Sequence, residues 1–174
     1  MSRVTPLGAV ARGLAAGMIG TGVMTAWQEI SMKLVSSDQD AGNGAAAESP
    51  SPQPEDPWEQ ASAPAKVARR VLEGVFNQKV APERIGLLTN AMHWGYGTGW
   101  GAVYGLIQRT RPAPALLRGA LFGTTVWAMS YVTLVPMGLY QPPWTYSSKE
   151  LAMDISYHLA YGAGVSAGYA LVDR

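Results

Sequence analysis

The spacing of its charges constrains this chain more than any other feature. No Asp, Glu, Lys or Arg interrupts the 24 residues between Arg84 and Arg109, the 30 between Arg118 and Lys149, the 18 between Asp154 and Asp173, or the 16 between Arg12 and Glu29. A helix that crosses a bilayer needs about 20 mainly apolar residues. Three of these runs reach or approach that length, and the shortest suffices if its flanking charges snorkel to the interface. We therefore expect an all-α membrane protein, a single domain over 1–174 with spans near 8–29, 86–108, 115–137 and 151–172. Only 14% of residues are charged, against roughly 25% in soluble domains. The 20 Gly, 6 Trp and 8 Tyr fit spanning helices with aromatic ends. Mean hydropathy is only +0.03 because the acids and bases gather in residues 30–84. A soluble bundle with Gly-rich core helices is the competing architecture. A removable signal peptide is the competing reading of the first run, although no small-x-small cleavage pattern precedes Trp27.

The charge balance of +1 argues against a nucleic-acid partner, which calls for a basic excess. The absence of cysteine excludes disulfides, thiolate metal sites and a cysteine nucleophile. No phosphate-binding loop, dinucleotide fingerprint or Gly-x-Ser-x-Gly elbow occurs, so the chain reads more as a non-enzyme than as an enzyme.

Lys and Arg in short flanks set orientation. Arg3 and Arg12 precede the first run, and Arg109, Arg111 and Arg118 crowd the second-to-third connection. Both termini are thus expected in the cytoplasm, with 36–85 and 138–150 outside. Residues 36–63 are rich in Ser, Pro, Ala, Gly and acids and read as a disordered outer linker. In 64–77, Val67, Val71, Leu72 and Val75 recur at helical spacing behind Pro64, which predicts a short amphipathic helix on the outer bilayer surface or on the tops of the spans.

Residues 93–104 and 158–169 share the pattern His-x-x-Tyr-Gly-x-Gly-x-x-Ala-x-Tyr, and 12–17 and 118–123 share Arg-Gly-x-x-x-Gly. The chain thus reads as two helical hairpins repeated in parallel orientation, related by a pseudo-two-fold along the membrane normal. Small-x-x-x-small pairs let helices approach closely in lipid. They fall at Gly13/Gly17, Gly95/Gly99, Gly97/Gly101, Gly101/Gly105, Gly119/Gly123 and Gly164/Gly168.

Ionisable groups inside a span mark a function or a buried partnership. Glu29, His93, Asp154 and His158 all fall toward the outer side in this topology, with Tyr96 and Tyr161 one turn below the two histidines. Asp154 lies one turn above His158, on the same helix face. Three roles are open: interhelical hydrogen bonding with Asp154 orienting His158, a titrating proton relay or pH sensor, or ligation of haem or a divalent metal by His93, His158 and Asp154. No cofactor follows from a recognised motif. The stretch with Pro136, Gly138, Pro142, Pro143 and Trp144 predicts a stiff outer turn with an interfacial anchor, or a lid over the polar cluster.

Residues 134–158 resemble the YagU-like bacterial inner-membrane proteins, through Pro136-Met137-Gly138-Leu139, Pro142-Pro143-Trp144 and an acid, Asp154, four residues before His158. The His93-x-x-Tyr96 run is similar to an earlier helix of that family, and Trp27 and Glu29 to the end of its first helix. The insertion at 36–57 departs from the pattern. The resemblance implies an inner-membrane location and a link to acid tolerance, and names no substrate. The functional expectation is a small polytopic inner-membrane protein that responds to protons through its outward cluster. The alternatives are a haem- or metal-binding subunit of a membrane redox complex and a non-catalytic assembly partner. Its surroundings would be the lipid bilayer and a second copy or another membrane subunit.

Overall fold

The computed structural model describes residues 5–42, 56–108 and 113–173. Among them are five α-helices and no strand: α1 (Pro6–Gly42), α2 (Ala63–Gly74), α3 (Ile85–Ile107), α4 (Ala115–Leu134) and α5 (Ser148–Val172). Short 3₁₀ turns, Pro82–Arg84 and Pro143–Thr145, precede α3 and α5.

The first helix is longer than expected. Its 37 residues span about 55 Å at 1.5 Å per residue, far beyond the expected end near 29. Between Gly22 and Gly42 the chain offers no glycine or proline to stop it, and a helix needs no apolar residues to continue. The linker expected over 36–63 is corrected at both ends. Residues 36–42 are helical, and 56–62 form a turn that buries Trp58 and Ala61 against Ala65 and Val80. Residues 43–55 lie outside the described residues.

Of the apolar face expected on α2, Val67 and Leu72 are half-buried and Val71 and Val75 are exposed. Ala65 and Ala68 are buried. The small side chains permit close packing on α3, and Arg69 covers the Trp58 ring at 4.7 Å. Arg69 also pairs with Glu73 at 3.1 Å. That hydrogen bond holds the Glu73 carboxyl below its ordinary range, aided by the Val80 N–H and partly opposed by desolvation.

Helix α4 ends at Leu134, three residues before the expected boundary, because Pro136 lacks the N–H that would continue the ladder. Gly138, at φ +66°, takes the left-handed conformation that closes the helix. Leu139 N–H then donates to the Leu134 carbonyl at 3.0 Å. Helix α5 starts with a capping box: Ser147 Oγ accepts from Glu150 N–H at 3.2 Å and Glu150 Oε2 from Ser147 N–H at 2.8 Å. These bonds hold the Glu150 carboxyl below its ordinary range.

The four long helices run up-down-up-down. Close backbone packing joins α1 to α3, α1 to α5 and α4 to α5. Glycine makes each seam possible: a Cβ on Gly17 would sit 2.9 Å from Gly101 Cα, one on Gly164 2.9 Å from Gly20 Cα, and one on Gly119 3.1 Å from Ala163 Cα. Gly97, Gly101, Gly164 and Gly168 therefore lie in the seams as expected. Gly95 and Gly99 do not; nothing stands within 4 Å of a Cβ at either. Their face of α3 points away from α1, so the pairing expected of Gly95/Gly99 is corrected.

The remaining side, between α3 and α4, is held apart by rings. Phe122 of α4 meets Tyr104 at 4.9 Å and Trp100 at 6.2 Å between centroids. Tyr104 donates to Ser166 Oγ, which donates to the Ala115 carbonyl. No buried side-chain polar atom among the described residues lacks a partner. The interior combines glycine and alanine with Phe122, Val126, Val165 and the rings of Tyr104, Tyr161 and Tyr169, while Leu116, Leu121, Val132, Leu87 and Met18 are exposed. Over Pro6–Ser36, α1 is long and apolar enough to cross a membrane, and it is the one helix among the described residues that meets both measures.

Candidate functional site

Glycine seams on three sides and rings on the fourth leave the bundle open at the end opposite Arg12 and Arg118. A cavity of about 480 Å³ lies there, within the range of small-molecule sites. Thr21, Met24, Thr25 and Gln28 of α1 line it, with Met92, His93, Tyr96 and Gly97 of α3, Val126 and Ser130 of α4, and Asp154, His158 and Tyr161 of α5. Val67 of α2 and Met137 and Tyr140 of the α4–α5 loop close the mouth. Arg70 of α2 donates to the Met137 carbonyl and ties those two parts together. Asp154 is the one Asp, Glu, Lys or Arg among the lining residues.

His158 Nδ1 lies 2.9 Å from the Asp154 carbonyl oxygen and 3.8 Å from its Oδ1. Both are acceptors, so Nδ1 carries the hydrogen and Nε2 presents a lone pair. With no buried polar atom left unpartnered, that lone pair is accessible from the cavity. His93 is locked the other way. Thr25 donates its hydroxyl hydrogen to the Thr21 carbonyl at 2.9 Å, so its oxygen accepts from His93 Nε2 at 3.3 Å. Each imidazole is therefore held as a donor through one nitrogen, by a different nitrogen in each case.

The Asp154 carboxylate is oriented by α4. Trp127 Nε1 donates to Oδ2 at 2.8 Å and Tyr131 at 3.0 Å. The rings of Tyr140 and Tyr146 pack edgewise on Tyr131 at 5.5 and 6.2 Å. Burial, reinforced by Asp154 and neighbouring tyrosines, pushes the Tyr140 hydroxyl up to about 12.

Five of the six expected cluster residues line this one cavity: His93, Tyr96, Asp154, His158 and Tyr161. Glu29 does not; it is exposed, and Gln28 takes the lining position. One helical residue is about 100° of rotation, enough to turn the carboxylate away. Tyr161 is buried and donates to the Gly97 carbonyl at 2.6 Å, a crosslink between α5 and α3. Tyr96, at the matching position of the shared sequence pattern, is 44% exposed and meets the Trp100 ring, so the two tyrosines are used differently. Asp154 orients His158 with its backbone carbonyl more closely than with its carboxylate. Of the outer-turn residues, Gly138 closes α4, Pro142 and Pro143 open the 3₁₀ turn, and Trp144 is 81% exposed.

Thr25, Gln28, Trp127, Tyr131 and Tyr140 complete the site beyond the expected set. Trp127 and Tyr131 carry a signal, since residues four apart on a helix share a face. His93, His158 and Asp154 are the candidate divalent-metal ligands, and among the described residues no group of three or more His, Cys, Asp or Glu that could hold a metal ion is found. No protein-family model, curated protein or solved structure matches the chain.

Proposed function

We propose that this is a four-span inner-membrane protein whose outward cavity takes up and releases protons at His93 and His158 beside Asp154. The observation that carries the reading is the convergence of two imidazoles and one carboxylate, from α3 and α5, on one cavity in which His158 Nε2 is open. A histidine charges near physiological pH. A second imidazole and a carboxylate on the same wall couple each proton to its neighbours. Helix α1 offers Thr25 and Gln28 to this group and α2 offers Val67, neither ionisable. Tyr96, Tyr140 and Tyr161 face it from α3, the loop and α5, and Tyr131 stands behind Asp154.

The membrane setting is supported by the distribution of side chains. Large apolar residues face outward on α1, α3, α4 and α5, whereas the closest approaches between helices are made at glycines. Helices in lipid associate in this way, because burying leucine gains nothing there. No Asp, Glu, Lys or Arg occurs in α3. Arg12 and Arg118 lie at the bundle end away from the cavity, and positive charge at that end favours the cytoplasmic side for it. The resemblance of residues 134–158 to YagU-like proteins fits this location and a role in acid tolerance.

The test is thermal stability of the detergent-purified protein from about pH 5 to 8, the range in which imidazoles titrate, compared with a His93→Gln/His158→Gln variant. The reading expects a pH-dependent midpoint in the wild type that flattens in the variant. Superimposable pH profiles would refute it.

A further inference from the structure

We propose that the cavity binds an amphipathic organic cation, an amine or quaternary ammonium with an aryl or short alkyl body, at Asp154. This rests on the reading of the cavity as an open, proton-exchanging site and names what the protons compete with. The Asp154 carboxylate is the one Asp, Glu, Lys or Arg side chain on a wall otherwise of two imidazoles, three tyrosines, apolar side chains and neutral polar groups. Asp154 is held at Oδ2 by two donors, which leaves Oδ1 as its less engaged oxygen, with His158 Nδ1 3.8 Å away. An ammonium takes the charge-assisted position at that oxygen. Tyr96 and Tyr140 supply aromatic surface that attracts cations and not anions, and Met24 and Met92 supply adaptable apolar wall for the body. An anion would meet the carboxylate unpaired.

Protons and ligand then exclude one another. Charged His93 and His158 put two positive groups on the wall, one beside Asp154, so the cation binds when both are neutral and leaves as they protonate. The other ionisable groups that face the site are Tyr96, Tyr140 and Tyr161; α1, α2 and α4 place none in the lining.

Binding of benzyltrimethylammonium to the full-length protein, measured by calorimetry at about pH 8 and about pH 5, on either side of the imidazole range, with benzyl alcohol as the uncharged control, tests this. Saturable binding of the cation alone is expected, weakened at least tenfold at the lower pH and at least tenfold by Asp154→Asn. Asparagine keeps an oxygen for Trp127 and Tyr131. If that variant does not fold, Tyr96→Leu, which breaks no hydrogen bond of this site, is expected to weaken binding severalfold. Equal binding of benzyl alcohol, cation affinity unchanged in a folded Asp154→Asn, or no binding at all would each overturn the proposal. Absence of binding with a pH-dependent melting profile that needs the histidines would overturn this inference and leave the proton reading standing. A lipid headgroup and a soluble amine share this chemistry: displacement of the probe in nanodiscs by ethanolamine lipid, but not by phosphatidylglycerol alone, would assign the site to lipid, and retention of the probe to a soluble amine.

Discussion

His158 and Asp154 are neighbours on one face of α5, yet the imidazole points Nδ1 at the Asp154 backbone carbonyl, 2.9 Å away, and stands 3.8 Å from the carboxylate. The carboxylate is aimed instead by Trp127 and Tyr131 of α4. The side chain that gives the cavity its charge is thus positioned by a different helix from the one that carries it. The α4–α5 pairing and the chemistry of the cavity are therefore linked.

Removing one of those donors weakens the fold. Tyr131→Phe and Trp127→Phe each delete a hydrogen bond to a carboxylate, which is worth about 1.5–3 kcal/mol. Each variant is expected to lose stability by roughly that amount in denaturant or thermal unfolding. Combining either with Asp154→Ala, which removes the acceptor, is expected to cost less than the sum, since the partners share one interaction. Strict additivity would show that the bonds do not form.

The seams make a sharper contrast. Gly101→Leu drives a side chain into the Gly17 backbone and is expected to destabilise by about 3 kcal/mol or more, beyond ordinary overpacking, because backbone and not a flexible side chain is in the way. Gly99→Ala meets open space and is expected to be neutral or to stabilise by up to about 1 kcal/mol through helix propensity. Equal effects at the two sites would contradict the helix rotation described for α3.

Tyr140 gives an alkaline signature. Its hydroxyl is raised from 10.0 to about 12, chiefly by burial. A group whose pKa is raised on folding stabilises the fold below its unfolded value and loses that contribution as pH rises through the folded one. Stability is therefore expected to fall between pH 10.0 and about 12. Tyr140→Phe should remove part of that fall and one late tyrosinate step in an ultraviolet titration; an unchanged titration would contradict the burial.

The proposed topology can be tested with single cysteines, since the chain has none of its own. Glu59→Cys is expected to react with a membrane-impermeant maleimide in intact cells, and Ala113→Cys only after permeabilisation. The reverse pattern would invert the orientation, and equal reaction at both would refute four spans.

Charge-free runs locate α3, α4 and α5 to within a few residues, because they mark where a long helix can hide from water. They say nothing of where α1 stops, which depends on the absence of glycine and proline before Gly42. The sequence holds two interleaved sets of small residues in α3, Gly95/Gly99 and Gly97/Gly101/Gly105. Which set meets α1 is decided by Gly13 and Gly17 across the seam, a long-range fact that periodicity does not carry. The same limit explains Glu29, one residue from the lining position, and Trp127, whose bond to Asp154 spans 27 positions. His93, Asp154 and His158 are legible because ionisable groups are rare in such runs.

The chain has two histidines, so their imidazole signals can be assigned with two single variants. The most direct measurement is the pH dependence of those signals, by nitrogen and carbon NMR on histidine-labelled protein in nanodiscs. At high pH the Nδ1–H tautomer is expected for His158 and Nε2–H for His93, with both signals responding to pH between about 5 and 8, where imidazoles ordinarily titrate. Signals that stay fixed across that range would contradict the proton reading.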